Sequence, residues 1–306
     1  MGTLIGHVAP GFGFLLIGIW HLFNNIRLFS LRPKSYRTRP WFPFPKLRYL
    51  ELLLIGVGSA ASIAMELFIG PARHQPLDVD LTIPSNHLHN FEHASISLTF
   101  LVFSVFAAVL ESSPAAEPLT SLAAAAAFAQ QLFLFHLHSS DHMGVEGQYH
   151  FLLQLVIAVS LLATVMGIGY PRSFAVGFVR SASIAMQGVW FVVMGYALWT
   201  PGLIPKGCFM NDEDGHFVVR CRSPEALHRA KSLANIEFSW LLAAVVGSCL
   251  LLYLGLSRRY AKEAEYAAVA KVGGDDDESE DLELESEQRS FVSMERGMRN
   301  NIDLER

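Results

Sequence analysis

The chain has 306 residues, of which 52% are hydrophobic and only 17% charged, with a mean hydropathy of +0.33; soluble domains carry about 25% charged residues, so the composition argues against a cytosolic globular enzyme. The net charge of −5 is unevenly split: residues 261–306 hold fourteen acids against six bases, which leaves +3 on residues 1–260. No basic footprint for nucleic acid exists, so no nucleic-acid partner is expected, and three cysteines do not build a disulfide scaffold.

A bilayer core takes about 20 mostly apolar residues per helix, and seven stretches meet that length. The first, 5–29, carries His7 and His21. A basic link follows, interrupted by Pro33, Pro40, Pro43 and Pro45, which keep it from extending either helix. The second span, 50–70, has Glu66 near its end; the third, 90–110, opens with His89, Glu92 and His93. The fourth, 119–138, closes on His136 and His138, followed at once by Asp141 and His142. Glu146 lies in a short link, and His150 opens the fifth span, 149–169. The sixth, 176–199, contains Gln187, and the seventh covers 235–257. Between these last two, Cys208 and Cys221 flank Asn211-Asp212-Glu213-Asp214-Gly215, a turn-forming stretch, and are a candidate disulfide. The fold class is therefore all-α: a seven-transmembrane-helix bundle over residues 1–260. Residues 261–306 read as a disordered acidic tail on composition.

Lys and Arg set the orientation. The 1–2 link, the 5–6 link and the start of the tail share one side and hold twelve bases; the opposite side holds six. The amino terminus is expected to be lumenal or extracellular and the tail cytosolic. Cys208 and Cys221 then fall on the oxidising side. The chain is expected in an endomembrane (Golgi, ER or endosome) or the plasma membrane. Membrane lipids are its expected partners, together with a cytosolic sorting partner for the tail.

Ionisable groups inside spans are costly and mark function. Here they gather at the outer face, where nine of the twelve histidines lie once His74 is counted. His89 and His93 are four residues apart, as are His138 and His142, so each pair shares a helix face. Imidazoles at that spacing, completed by a carboxylate from another helix, suit a divalent metal, zinc ahead of iron. The expected ligands are His93, His136, His138 and His150, with Glu66 and Glu146 as catalytic base or further ligand. His7, His89, Asp141, His142 and Gln187 are accessory candidates. The competing reading is a wet vestibule in which the same groups bond to one another and to water. No nucleotide cofactor is indicated.

Gly6-His7-x-x-Pro10-Gly11 with Phe14, Gly18 and Trp20 resembles the start of the transmembrane protein 45 family. Phe135-His136-x-His138 followed by Glu146 and His150-x-Leu152-Leu153 is similar to that family too, as is Gln187-Gly188-x-Trp190-Phe191 with Gly195. The resemblance covers roughly residues 1–257. It implies a multi-pass protein of endomembranes, the Golgi region or the cell surface, and implies no settled activity.

Three functions compete. A metal-dependent membrane enzyme would attack an ester or amide of a lipid, with an iron hydroxylase as a variant. A metal-ion or proton transporter would need polar residues through the membrane; beyond Gln187 and His21 the inner halves of the spans read as nearly all apolar. A non-catalytic scaffold or trafficking protein would act through the tail.

Overall fold

The computed structural model describes residues 3–71, 74–141, 144–213 and 216–272. Seven of its helices are long and apolar enough to cross a membrane, which gives this chain the architecture of a multi-pass integral membrane protein. In chain order they are α1 (Leu4–Leu31), α2 (Leu50–Ala64, continued by a π-helical turn through Ile69 to make its span), α3 (Leu88–Val109), α4 (Ala116–Asp141), α5 (Val145–Gly169), α6 (Phe174–Trp199) and α7 (Pro224–Val272). The helices start within four residues of the sequence-based spans except the last, which starts eleven residues earlier than the apolar run and continues fifteen residues beyond it, so residues 261–272, read from composition as disordered tail, are helical. Its start is set by polar chemistry: Ser223 Oγ accepts the Ala226 N–H at 3.2 Å, and Pro224 occupies the first helical position.

A small sheet adds to the helices. Strands β1 (Cys208–Glu213) and β2 (His216–Cys221) form an antiparallel hairpin in which Cys208 pairs with Cys221. The two cysteines are joined by a disulfide that closes the open end of the hairpin. The Asp214-Gly215 turn, His142 and the acidic run from 273 onward lie outside the described residues.

Helices adjacent in sequence pack side by side from α2 through α6, and α1 returns to lie along α6. Glycines permit that last approach. A Cβ placed on Gly18 would lie 2.6 Å from Ala185 Cα, and one on Gly188 would lie 2.6 Å from Leu15 Cα. Neither position has room for a side chain, so the backbones meet directly, as small residues allow in membrane bundles. The central core is built around Trp190, fully buried, which stacks on Tyr149 and donates its indole N–H to the Tyr149 carbonyl at 3.0 Å. From α7, Phe238 meets Trp190 edge-on, while Cys249 packs with Leu22 and Ile26 of α1. The outward positions of α7 are strongly apolar and bare, Trp240 at 75% and Leu251 at 71% exposed. Hydrocarbon is the solvent that suits such a surface.

The antiparallel arrangement defines two ends. The hairpin end collects the start of α1, the end of α2, the starts of α3 and α5, and the end of α6. The loop end collects the segment 32–49 with the start of α2 and the first turns of α6.

Candidate functional site

The helix caps and one irregular turn aim the polar groups at the hairpin end. Thr3 caps α1 through its hydroxyl, and its carbonyl then accepts Nδ1–H of His7 at 3.0 Å. Helix α2 finishes in a π-helical turn, Met65–Ile69, of the kind that recurs at functional sites. That turn carries Glu66, which is buried. Its Oε2 accepts Asn90 Nδ2 at 3.0 Å, and its Oε1 lies 3.4 Å from Nδ1 of His93.

His150 is also buried, and its Nδ1–H points to the Glu146 carbonyl one turn earlier, at 2.9 Å. The His7 and His150 rings stand 6.1 Å apart, and the other side of His7 stacks on Trp199 at 4.3 Å. His7, His93 and His150 lie within electrostatic reach of one another. Groups from α1, α3 and α5 thus converge, with Glu66 behind His93.

A common chemical pattern runs through these imidazoles. In His7, His93, His136 and His150 alike, Nδ1 faces an oxygen acceptor: Thr3 O, Glu66 Oε1, Gln154 Oε1 and Glu146 O. In a neutral ring that partner holds the proton on Nδ1 and leaves the lone pair on Nε2. This is the orientation that outer-shell partners impose on metal-ligating histidines.

The remaining sequence-based candidates are more dispersed. His136 is on the exposed side of α4, 3.2 Å from Gln154. His89 pairs with Glu92 of its own helix at 3.1 Å. Glu146 is buried one turn before His150, and the Arg220 and Glu213 charges of the hairpin act on it. Gln187 is not at this end; it is fully buried in mid-bundle, where its Nε2 donates to Ser160 Oγ at 2.6 Å. His142 and the side chains of His138 and Asp141 lie outside the described residues. Among the described residues, no three His, Cys, Asp or Glu side chains are grouped closely enough to hold a metal ion as they stand.

The hairpin rim is charged and solvent-facing. Arg220 forms a two-point ion pair with Glu213, and this pairing holds the Glu213 carboxyl down to about 2.

Sequence reasoning missed a second polar cluster, at the loop end. His21 Nε2 lies 2.6 Å from Glu51 Oε1, and both side chains are almost fully buried. Arg180, also buried, donates to the Arg39 carbonyl and approaches His21 Nδ1 at 3.4 Å. An arginine has only donors, so it fixes His21 with its proton on Nε2, shared with the Glu51 carboxylate. The second Glu51 oxygen accepts the Phe42 N–H at 2.9 Å. Nearby, Tyr36 donates to Asn25 Oδ1 at 2.7 Å, and burial pushes the Tyr36 phenol up. The signal available was His21, the lone histidine of an inner half-span; its partners looked like ordinary charges at the ends of two other helices.

Residues 117–254 match the profile of a family of unknown function (DUF716). The match takes in α4 to α6, the hairpin and most of the apolar part of α7, a little under half of the chain. It therefore contains His136, His138, Glu146, His150 and Arg180, whereas His7, His21, Glu51, Glu66 and His93 lie outside it. It names no reaction. The chemistry open to the hairpin end comes from the side chains themselves: basic imidazole nitrogens, an engaged carboxylate at Glu66 and a buried carboxylate at Glu146.

Proposed function

We propose that this chain is an integral-membrane, metal-dependent hydrolase with its active centre at the hairpin end, acting on an ester or amide of a lipid. The observation that carries the reading is the shared orientation of His7, His93, His136 and His150, each with an oxygen partner at Nδ1. His7 and His150 form the nearest pair, so the proposed ligands are His7, His93 and His150. The described side chains do not form a metal-binding group as they stand, so ligation takes a change of side-chain rotamer.

Zinc is favoured ahead of iron, because imidazole with carboxylate suits it. When bound, a divalent metal supplies Lewis acidity toward the carbonyl and the attacking water. Glu66, with both oxygens occupied, orients His93. Glu146 accepts the proton of the attacking water and returns it to the leaving oxygen or nitrogen as the carbonyl–heteroatom bond breaks. Lipid reaches such a site laterally, from the leaflet that surrounds the helix ends. The disulfide supports placing the hairpin end in the lumen or outside the cell, with the amino terminus on that side and the tail in the cytosol. The resemblance to the transmembrane protein 45 family favours an endomembrane location.

Metal analysis of purified protein, followed by lipid turnover, tests this reading. Near-stoichiometric zinc or iron should be lost in a His7→Ala/His150→Ala variant. Glu146→Gln should keep the metal and lose turnover of fluorescent lipid esters and amides. A metal-free wild-type protein, or lipid profiles of knockout cells that the variants restore as well as wild type does, would overturn it and favour the scaffold reading.

A further inference from the structure

Residues 36–40 cross the loop end as an extended strap that sorts its side chains by parity. Tyr36 begins it at φ −58° and ψ 135°. Tyr36, Thr38 and Pro40 are buried, and Arg37 and Arg39 between them are exposed, the alternation of extended backbone. The buried members fix the strap to the bundle. The Tyr36 hydroxyl donates to Asn25 Oδ1 at 2.7 Å. Gly177 of α6 leaves room for both inward side chains: a Cβ there would collide with the Tyr36 hydroxyl and lie 3.0 Å from Thr38 Cγ2. Main-chain bonds add to this. The Arg39 carbonyl accepts from buried Arg180, and the Thr38 N–H donates to the Pro171 carbonyl at 2.6 Å. That last bond joins the strap to the α5–α6 link. It brings Arg172, the exposed residue after Pro171, alongside the segment that carries Arg37 and Arg39.

The carboxylates near this end are already engaged. Glu51 is buried against His21, Glu111 holds Arg48, and Glu117 reaches Arg37 at 3.8 Å. Among the described residues Arg39 and Arg172 take part in no ion pair. The Arg37–Glu117 pair is half-exposed on both sides, and pairs of that kind are readily exchanged. Three guanidiniums less one carboxylate leave a charge of +2 around a single interstrand bond.

Position and charge together identify the partner. Pro171 and Arg172 lie between Gly169, the last residue of α5, and Phe174, the first of α6, so the arginines stand where the hydrocarbon ends. Tyr170 beside them is 66% exposed, as an aromatic at the headgroup boundary is. Guanidinium pairs with phosphate through two parallel N–H bonds. A phosphomonoester carries about −1.5 to −2 at pH 7, which matches the site, whereas a headgroup of single charge leaves it half neutralised.

We propose that Arg37, Arg39 and Arg172 bind the headgroup of a phosphomonoester lipid, of which phosphatidic acid is the simplest. The phosphate takes Arg37 from Glu117 and bridges the strap to the α5–α6 link. In the orientation proposed above, this end faces the cytosol, whose leaflet carries the anionic lipids. The site is separate from the imidazoles of the hairpin end, and the hydrolase reading does not depend on it.

The test is native mass spectrometry of the full-length protein in detergent, titrated with short-chain phosphatidic acid, phosphatidylserine or phosphatidylcholine. Wild type should bind phosphatidic acid at least about ten-fold more tightly than phosphatidylserine, the worth of one charged hydrogen bond, and phosphatidylcholine least. Arg39→Gln/Arg172→Gln should erase that preference while unfolding at the wild-type temperature, because both side chains are exposed. Lys46→Gln/Arg48→Gln removes the same charge from the side of this end where Arg48 meets Glu111, and it should keep the preference. Inorganic phosphate should not compete. Four results would overturn the proposal: equal binding of phosphatidic acid and phosphatidylserine, an unchanged preference in Arg39→Gln/Arg172→Gln, equal loss in both variants, or displacement by inorganic phosphate. Metal-free and metal-loaded protein should bind lipid alike, which keeps this result separate from the hydrolase reading.

Discussion

Replacing Gly18 with alanine puts one methyl group where α1 and α6 meet main chain to main chain. The new carbon would lie 2.6 Å from Ala185 Cα and 2.8 Å from Ala185 Cβ. Carbon atoms rest at about 3.5–4.0 Å, and a gap of 0.5–1 Å already forfeits roughly a quarter to a half of each dispersion contact. The helices must therefore part by about 1 Å along their closest seam. Overpacking of this kind costs about 1–3 kcal/mol, and the upper end applies because the obstruction is backbone and cannot rotate away. At about 2–4 °C per kcal/mol for a domain of roughly this size, the unfolding midpoint in detergent should drop by about 6–12 °C. Gly13 provides the internal control. It lies five residues earlier in the same helix, and a Cβ there meets nothing within 4 Å. Gly13→Ala should leave the midpoint unchanged or raise it, since alanine gains about 0.5–1 kcal/mol over glycine in a helix. Equal midpoints for the two variants would refute the α1–α6 approach on which both polar clusters depend.

Three further outcomes follow from the same geometry. Glu51→Ala strands the buried Arg180 charge and should cost about 3–5 kcal/mol, measured by thermal or denaturant unfolding in micelles; a loss under 1 kcal/mol would show that the pair is not buried as described. Cys208→Ser opens a loop of 13 residues, whose closure is worth about 3 kcal/mol in the chain-entropy treatment; proteolysis should cut the 200–222 region faster in this variant, and reductant should have the same effect on wild type. Arg220 holds the Glu213 carboxyl down from the usual 4.5 to about 2, so this pair holds the hairpin fully above about pH 4.5 and releases it as pH falls toward 2. Hydrogen exchange of the hairpin amides should therefore lose protection over that window, and high salt should weaken the effect because the pair is exposed.

How far the sequence could be read depended on whether a feature was local. The seven spans were legible because a run such as Leu152–Ile168 is apolar on all sides, which only a bilayer or a fully enclosed core tolerates. The early start of α7 was not, because Arg229 and Lys231 read as loop charges while Ser223 and Pro224 quietly set a helix cap. At the hairpin end, crowding of histidines was visible from topology alone. Their common tautomer was not, since it depends on partners as unremarkable as the Thr3 and Glu146 carbonyls. The loop-end cluster was harder still. Glu51, Arg180 and His21 come from three helices 30 and 129 residues apart in sequence, and nothing in any one stretch says that they meet. Ser160, Thr164 and Ser183 were likewise lost in the hydropathy of their spans, although each is buried and bonded across or along the bundle.

The proposed hydrolase needs imidazole nitrogens at the hairpin end that take up an ion. Zinc X-ray absorption on the purified, zinc-supplemented protein reads that directly. A first shell of nitrogen and oxygen at about 2.0–2.1 Å with imidazole outer-shell scattering, lost in His7→Ala/His150→Ala, is the expected spectrum. Zinc that stays hexa-aqua, or a spectrum identical in wild type and variant, would contradict it.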